Sequence, residues 1–170
     1  MKKPLFIIGY MGVGKTRIGK KISALLDAKF IDIDQKIEEQ EGLSISKIFK
    51  THGEAYFRDA ESQFIKTFNF EKKCVISCGG GLPCHSDNLK IILEKSNSIY
   101  LSMDFEKINE KLKKGKNARP MISHLNDIEF YEKNKNLFNK RVQYYKKANF
   151  ELVVNDNWKE NFLKDIYPKL

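Results

Sequence analysis

The stretch GYMGVGKT at residues 9–16 follows the apolar run LFII at 5–8 and precedes a segment of helical periodicity. It matches the pattern G-x-x-x-x-G-K-[ST], and a strand before it and a helix after it are the context that this pattern requires. Glycines let consecutive backbone N–H groups curl around phosphate oxygens, and a helix N-terminus adds partial positive charge. We therefore predict a nucleoside triphosphate site in which Lys15 reaches the β- and γ-phosphates and the Thr16 hydroxyl binds Mg²⁺.

The rest of the chain alternates short apolar runs with longer segments of helical periodicity. Five runs are typical of buried strands, at 5–9, 29–33, 74–77, 98–102 and 150–154. Helical segments lie at about 15–27, 35–41, 44–51, 54–70, 86–95, 104–113, 127–147 and from 157 onward. Strands that alternate with helices form right-handed crossovers, so we predict an α/β fold with a mainly parallel five-stranded sheet covered on both faces.

Length and composition indicate one folded domain over residues 1–170. With 41% hydrophobic and 31% charged residues, the chain is not typical of disordered, collagen-like or coiled-coil proteins. Its apolar runs fall far short of the roughly 18 residues that a membrane span needs. The three cysteines, Cys74, Cys78 and Cys84, are odd in number and crowded together, and only His85 accompanies them. This cysteine pattern argues against a disulfide scaffold and against a zinc site. Because the cysteines indicate no disulfides and the apolar runs are short, we expect a cytoplasmic protein that does not enter membranes.

The net charge of +9 favours anionic partners without choosing among nucleotides, acidic metabolites and nucleic acid. Only four of the 31 basic residues are arginines: Arg17, Arg58, Arg119 and Arg141. Arginine makes bidentate contacts of fixed geometry with anions, so each is a candidate binding residue. For Arg17, directly after the phosphate-loop motif, we favour a solvated or helix-packing role. The lysines are dispersed, and no basic stretch interleaved with aromatic residues indicates a nucleic-acid-binding protein.

The second predicted strand ends in the sequence FIDID at 30–34, which carries two carboxylates. Residues two apart on a strand point the same way, so Asp32 and Asp34 are expected to emerge together at the carboxyl edge of the sheet, where open α/β folds bind ligands. One would lie near Mg²⁺ and the other near an acceptor hydroxyl. Alternatively, Asp34 caps the following helix and Asp32 is merely exposed.

The segment FRDAE at 57–61 places Arg58 and Glu61 three residues apart on a predicted helix. An exposed ion pair at this spacing contributes only a few tenths of a kcal/mol to stability. We therefore interpret Glu61 as a carboxylate that fixes the Arg58 guanidinium for an anionic ligand.

Three glycines, at 79–81, follow the third predicted strand. Consecutive glycines cost chain entropy on folding, which indicates that a ligand or another backbone segment approaches closely there. A flexible turn is the alternative interpretation.

The segment KKGKNARPMISHLN at 113–126 fits neither a helix nor a strand and carries Arg119. Loops of this length inside a compact domain are usually functional, and we predict a lid. A GTPase would carry a guanine-reading N/T-K-x-D segment, and NKNL at 134–137 lacks the aspartate. A motor ATPase would be larger. A small-metabolite kinase, in which a closing lid excludes water from the γ-phosphate, fits best.

Taken in order along the chain, these motifs resemble those of the shikimate kinase family. The matching stretches are GYMGVGKT at 9–16, Asp32 with Asp34, FRDAE at 57–61, GGG at 79–81, ARPMI at 118–122 and KRVQYY at 140–145. A phosphate loop alone would indicate only an NTPase, whereas the ordered combination over essentially the whole chain is specific. The sequence LPC at 82–84 departs from the small residues that many members have after the glycine run.

The resemblance implies a P-loop NTPase fold of the nucleoside-monophosphate-kinase type, with substrate-binding helices at about 34–61 and the lid at about 113–126. It implies transfer of the ATP γ-phosphoryl group to the 3-hydroxyl of shikimate, in the pathway to chorismate and the aromatic amino acids. The expected partners are shikimate and ATP, with Mg²⁺ as cofactor. We also expect a monomer that binds neither nucleic acid nor membranes.

The resemblance also assigns roles to individual residues. Asp34 would orient the acceptor hydroxyl and receive its proton. Arg119 would move in with the lid to neutralise charge on the transferring phosphoryl group, while Lys15 reaches the β- and γ-phosphates. The nucleotide would contact Gly12, Val13, Gly14, Lys15, Thr16 and Arg119. Shikimate would contact Asp34, Arg58, Gly79, Gly80, Gly81 and Arg141, with Glu61 steadying Arg58. Thr16 would bind Mg²⁺, and Asp32 would assist through water.

Two other functions stay open at this point. One is a related kinase whose acceptor is gluconate or a nucleoside monophosphate. The other is a non-catalytic, ATP-switched regulator or nucleic-acid binder that uses the positive charge.

Overall fold

The computed structural model describes residues 3–69, 73–114 and 126–170. Its strands are β1 (Leu5–Ile8), β2 (Lys29–Asp32), β3 (Cys74–Ser77), β4 (Asn97–Ser102) and β5 (Phe150–Val153). Its helices are α1 (Lys15–Leu25), α2 (Ile33–Glu41), α3 (Ile45–Thr51), α4 (Gly53–Thr67), α5 (Asn88–Lys95), α6 (Phe105–Lys114), α7 (Asp127–Tyr145) and α8 (Trp158–Asn161). Short 3₁₀ turns lie at Leu82–Cys84 and Tyr167–Lys169, and a π-helical turn lies at Phe162–Ile166.

The five strands form one parallel sheet in the order β2-β3-β1-β4-β5. The predicted five-stranded parallel sheet is confirmed, and each strand boundary agrees with the prediction to within one residue. Every residue of β1 and β3 is buried, as expected for strands that helices cover on both faces. None of the helices in the described ranges combines the length and apolar character needed to cross a membrane.

The strand order places three chain segments at one edge of the sheet. In a parallel sheet all carboxyl ends lie at the same edge, and here β2, β3 and β1 are direct neighbours. The phosphate loop follows β1, Asp32 ends β2 with Asp34 two residues later on α2, and the glycine run follows β3. Segments that are far apart in sequence are therefore adjacent in the fold.

The boundary between β2 and α2 differs from the prediction. The strand ends at Asp32, which is the N-cap of α2 and accepts a hydrogen bond from the backbone N–H of Asp34 at 3.2 Å. Asp34 therefore lies on the first helical turn, and the prediction that both aspartates continue one strand was wrong. Aspartate is among the preferred N-cap residues because its carboxylate satisfies an otherwise unpaired helical N–H.

Candidate active site

The phosphate loop joins β1 to α1 through backbone conformations that favour glycine. Gly12 has φ +83° and Gly14, the residue before α1, has φ +98°. A Cβ at Gly12 would also lie 2.9 Å from the Cδ2 atom of Leu112 on α6. The loop therefore holds its backbone N–H groups at the N-terminus of α1, where the helix dipole favours a bound anion.

The side chain of Lys15 lies across this loop. Its Nζ donates hydrogen bonds to the carbonyl oxygens of Gly9 and Tyr10, at 2.9 and 3.0 Å. Burial lowers the pKa of the Lys15 ammonium, and the nearby groups Cys78, Asp34 and Asp32 act in the opposite direction. A phosphate group placed in the loop would add negative charge beside this partly buried ammonium.

Thr16 and Asp32 provide two oxygen atoms beside the loop. The Thr16 hydroxyl donates a hydrogen bond to Asp32 Oδ2 at 2.9 Å. Mg²⁺ is usually bound by one or two protein oxygens together with substrate phosphates and water. In the described part of the chain, no group of three or more His, Cys, Asp or Glu residues could hold a metal ion. The Thr16–Asp32 pair fits an Mg²⁺ ion that arrives with a nucleotide.

Asp34 lies deeper in the same region. Its Oδ1 accepts a hydrogen bond from the backbone N–H of Gly79 at 3.0 Å. Burial raises the pKa of the Asp34 carboxyl, and the charge of Asp32 raises it further, whereas Lys15, the Gly79 hydrogen bond and Arg58 lower it. A partly buried carboxylate with a raised pKa is suited to accept a proton from a hydroxyl group.

A cleft of about 410 Å³ connects the phosphate loop to Asp34. It is lined by Met11, Gly12, Gly14, Lys15, Thr16, Arg17, Asp32, Asp34, Cys78, Gly79 and Gly80. The side chain of Arg17 is solvent-exposed, as expected, and it also lines the cleft, with its Nε 3.9 Å from the position of a Cβ at Gly14. The cleft therefore brings a triphosphate site and a candidate proton acceptor into one cavity.

Arg58 on α4 is held by two carboxylates. Its Nη1 donates to Glu61 Oε2 at 2.6 Å, and its Nη2 and Nε donate to Glu54 Oε1 at 3.0 and 3.3 Å. The Glu61 side chain is fully buried and that of Arg58 is 14% exposed. The predicted Arg58–Glu61 contact is present. Sequence reasoning missed Glu54, although its position four residues before Arg58 is the spacing of a favourable helical ion pair.

The carboxyl group of Glu61, beside Arg58, is fully buried, and only one of its oxygens is hydrogen-bonded in the described part of the chain. Burial raises its pKa to about 7, and the attraction of Arg58 only partly offsets this effect. Its Oε2 contacts Arg58, while Oε1 is buried and has no hydrogen-bond partner among the described residues. That oxygen faces the glycine run, since a Cβ at Gly79 would lie 3.1 Å from it.

The glycine run allows close approach of side chains and backbone. A Cβ at Gly81 would lie 2.6 Å from Cζ of Arg58, and one at Gly80 would lie 3.2 Å from the carbonyl oxygen of Gly9. Gly79, Gly80 and Gly81 therefore pack against Asp34, the phosphate loop and Arg58, respectively. This packing favours the close-approach interpretation over a flexible turn.

Arg141 lies on α7, whose last residue, Tyr145, donates a hydrogen bond to the carbonyl oxygen of Gly80. The positive charge of Arg141 acts on the pKa values of Lys15, Glu61 and Cys84, which places it within electrostatic range of the cleft. Arg119 and most of the predicted lid at 113–126 fall outside the described residues. Of the predicted site residues, the fold thus brings together those of the phosphate loop, the aspartates, Arg58 and the glycine run, with Arg141 within electrostatic range of them.

Comparison with known proteins assigns the family. The family model for shikimate kinase matches residues 11–170 of the chain. A shikimate kinase from Persephonella marina is 36% identical over 166 residues, which is 98% of each chain. This chain belongs to the shikimate kinase family. The predicted family and its kinase class are confirmed, and a kinase of this family uses ATP as co-substrate.

Solved structures agree with this assignment. The shikimate kinase of Acinetobacter baumannii in complex with shikimate superposes with a TM-score of 0.82, at 26% identity, over 94% of this chain and 88% of that one. A gluconokinase from Sinorhizobium meliloti covers 94% of this chain and 86% of its own, at a TM-score of 0.51 and 11% identity. That second likeness shows the fold alone, so the fold is shared by kinases with different acceptors. The acceptor specificity of a shikimate kinase must therefore lie in its side chains.

Proposed function

We propose that this enzyme transfers the γ-phosphoryl group of ATP to the 3-hydroxyl of shikimate, giving shikimate 3-phosphate and ADP. The reaction belongs to the pathway to chorismate and the aromatic amino acids. The proposal rests on the position of Arg58. Two carboxylates hold its guanidinium beside Gly81, where its charge also acts on the Asp34 carboxyl. A fixed guanidinium next to a candidate base suits an acceptor with both a carboxylate and a hydroxyl.

Arg58 and Arg141 would bind the shikimate carboxylate, with Gly79, Gly80 and Gly81 lining the site. Charge-assisted hydrogen bonds of this kind contribute about 1.5–3 kcal/mol each, more than contacts between neutral groups. Glu54 and Glu61 hold Arg58 in place before the acceptor arrives, which lowers the entropic cost of binding. This arrangement would discriminate against uncharged polyols.

Asp34 would accept the proton of the 3-hydroxyl while the hydroxyl oxygen attacks the γ-phosphorus of ATP. The bond from that phosphorus to the bridging β-γ oxygen then breaks, and ADP leaves. Phosphoryl transfer depends mainly on positioning and charge neutralisation. The phosphate-loop residues Gly12, Val13 and Gly14 would bind the phosphates through backbone N–H groups, with Lys15 on the β- and γ-phosphates.

Mg²⁺, when bound with ATP, neutralises phosphate charge and orients the γ-phosphoryl group. Thr16 would bind it directly and Asp32 through water, consistent with the 2.9 Å hydrogen bond between these two side chains. Arg119 would approach the transferring group with a lid at about 113–126, and helices at about 34–61 would form the acceptor-binding region.

We further propose that the enzyme works as a cytoplasmic monomer that binds neither nucleic acid nor membranes. The dispersed lysines are consistent with a solvated surface rather than a nucleic-acid interface. Salt-dependent binding of single- or double-stranded nucleic acid, without turnover of any small acceptor, would contradict this proposal.

A coupled ADP-release assay with ATP and Mg²⁺ tests the proposed reaction. Shikimate, gluconate and the nucleoside monophosphates are supplied as separate acceptors, and a reaction without acceptor gives the background ATPase rate. We expect stimulation by shikimate alone. Stimulation by gluconate or a monophosphate, and not by shikimate, would overturn the proposal.

A further inference from the structure

Helix α7 contacts both glycine-rich segments of the site through two buried tyrosine hydroxyls. Tyr10 of the phosphate loop donates a hydrogen bond to the carbonyl oxygen of Asn134 at 3.1 Å. Tyr145, the last residue of α7, donates to the carbonyl oxygen of Gly80 at 2.6 Å. Arg141 lies one helical turn before Tyr145, so these two side chains share a face of the helix.

Gly80 is the middle residue of the glycine run and lines the cleft. The N–H of the preceding residue, Gly79, donates to Asp34, and the Arg58 guanidinium lies against the following residue, Gly81. Gly80 itself packs against the backbone of the phosphate loop. The Tyr145 hydrogen bond therefore joins α7 to the same glycine run that Asp34, Arg58 and the phosphate loop contact.

We propose that Tyr145 is a positioning residue for acceptor binding: its hydroxyl holds the turn of α7 that carries Arg141 at a fixed place opposite Arg58. The inference rests on the proposed function, in which the two arginines share one carboxylate. Two guanidinium groups from separate helices bind one carboxylate well only if their spacing is fixed in advance. Arg58 is fixed by Glu54 and Glu61 on its own helix. For the turn that carries Arg141, the corresponding anchor is the Tyr145–Gly80 bond.

The ring of Tyr145 and its hydroxyl have separable contributions. The ring is fully buried and packs at 5.5 Å, centroid to centroid, against Tyr100. Burial raises the pKa of the Tyr145 hydroxyl above its ordinary value, so it stays a neutral donor at physiological pH. The thiol of Cys84 also lies near the Gly80 oxygen, at 3.9 Å, but a thiol is a weak donor. Removing the hydroxyl therefore removes the hydrogen bond to Gly80 and keeps the packing of the ring against Tyr100.

The Tyr145→Phe variant tests the inference through steady-state kinetics. We expect KM for shikimate to rise roughly tenfold, the equivalent of one well-formed hydrogen bond, while kcat and KM for ATP change less than about twofold. The matched control is Tyr144→Phe. Tyr144 is the adjacent tyrosine on α7, only half-buried, and its ring lies beside Lys147. That control should match the wild type in all three constants.

A double-mutant cycle with Arg141→Gln separates positioning from simple stabilisation. If Tyr145 acts through Arg141, Tyr145→Phe should lower kcat/KM for shikimate by less than about twofold in the Arg141→Gln background. Equal effects in both backgrounds would overturn the inference. So would an unchanged KM for shikimate in Tyr145→Phe, including the case in which only its melting temperature falls. A wild-type enzyme that does not phosphorylate shikimate would instead contradict the proposed function, which is a separate result.

Discussion

Asp34 is the residue on which the proposed chemistry depends most directly. Its carboxylate is partly buried, accepts a hydrogen bond from the Gly79 N–H and lies close to the negative charge of Asp32 and the positive charge of Lys15. We expect Asp34→Asn to lower kcat by about 10²–10⁴-fold, the usual contribution of a positioned general base. ATP affinity should stay nearly unchanged, because Asp34 is not expected to contact the phosphates. Single-turnover kinetics and an ATP titration measure the two quantities. Normal turnover with weakened ATP binding would contradict the assigned role.

Arg58 provides a test of geometry separate from charge. Arg58→Lys keeps the positive charge but replaces a planar fork, held by Glu54 and Glu61, with a single flexible ammonium. KM for shikimate should rise about 10- to 100-fold, since one charge-assisted hydrogen bond contributes roughly 1.5–3 kcal/mol. KM for ATP should stay constant. The matched control is Lys66→Arg on the exposed side of the same helix, which should change neither constant. An equal rise in both KM values for Arg58→Lys would show that the two binding sites are assigned incorrectly.

Glu61 couples function to pH-dependent stability. Its pKa is about 7 in the folded protein, because burial opposes ionisation, against an ordinary value of 4.5. Between these pH values the folded state holds a proton that the unfolded state has released, so this group's contribution to stability is lost as pH rises. The total loss is up to about 3 kcal/mol between pH 4.5 and 7.

Glu61→Gln removes this ionisation and keeps the shape of the side chain. We expect the difference in stability between the variant and the wild type to shift in favour of the variant as the pH rises from 5 to 8. The quantity measured is the free energy of unfolding in urea. It should also bind shikimate more weakly, since Arg58 loses a charged partner. A relative loss of stability over the same pH range would mean that the Arg58 attraction outweighs burial.

Among the connecting segments, the glycine run gives a test of close packing. Gly81→Ala would place a Cβ 2.6 Å from the Arg58 guanidinium carbon, so the flexible arginine must move. We expect nearly normal stability and a raised KM for shikimate. The contrasting variant is Gly42→Ala, at φ +64° with no atoms near the added Cβ. It should cost about 1 kcal/mol of stability through backbone strain and leave the kinetics unchanged. Similar behaviour of the two variants would contradict the packing account.

The elements differ in how far the sequence could predict them. The phosphate loop, the strands and Ser44 at the start of α3 follow from local patterns, because glycine spacing, apolar runs and capping chemistry act within a few residues. The β2–α2 boundary was predicted incorrectly because two aspartates in IDID at 31–34 compete for the cap, and only the backbone geometry decides between them. Glu54 was readable from its spacing to Arg58 and was overlooked.

Across the whole molecule, the contacts that assemble the site come from the strand order. A parallel sheet is predictable from alternating strands and helices, but the order β2-β3-β1 is a tertiary property. That order brings Gly79 to Asp34 and Gly80 to the phosphate loop. The Tyr145–Gly80 hydrogen bond likewise joins residues far apart in sequence, and no local pattern distinguishes Tyr145 from its neighbour Tyr144. Recognition of the family motifs supplied the roles of Arg58 and Arg141, which spacing alone would have left open.

The central claim is that one cavity binds a triphosphate and, opposite it, an organic acid whose carboxylate is bound by Arg58 and Arg141. A crystal structure of the enzyme with shikimate and a non-hydrolysable ATP analogue tests this claim most directly. We expect the shikimate carboxylate within hydrogen-bond distance of Arg58 and Arg141, and its 3-hydroxyl beside Asp34 facing the γ-phosphate. A shikimate molecule bound elsewhere, with both guanidinium groups directed into solvent, would contradict the account.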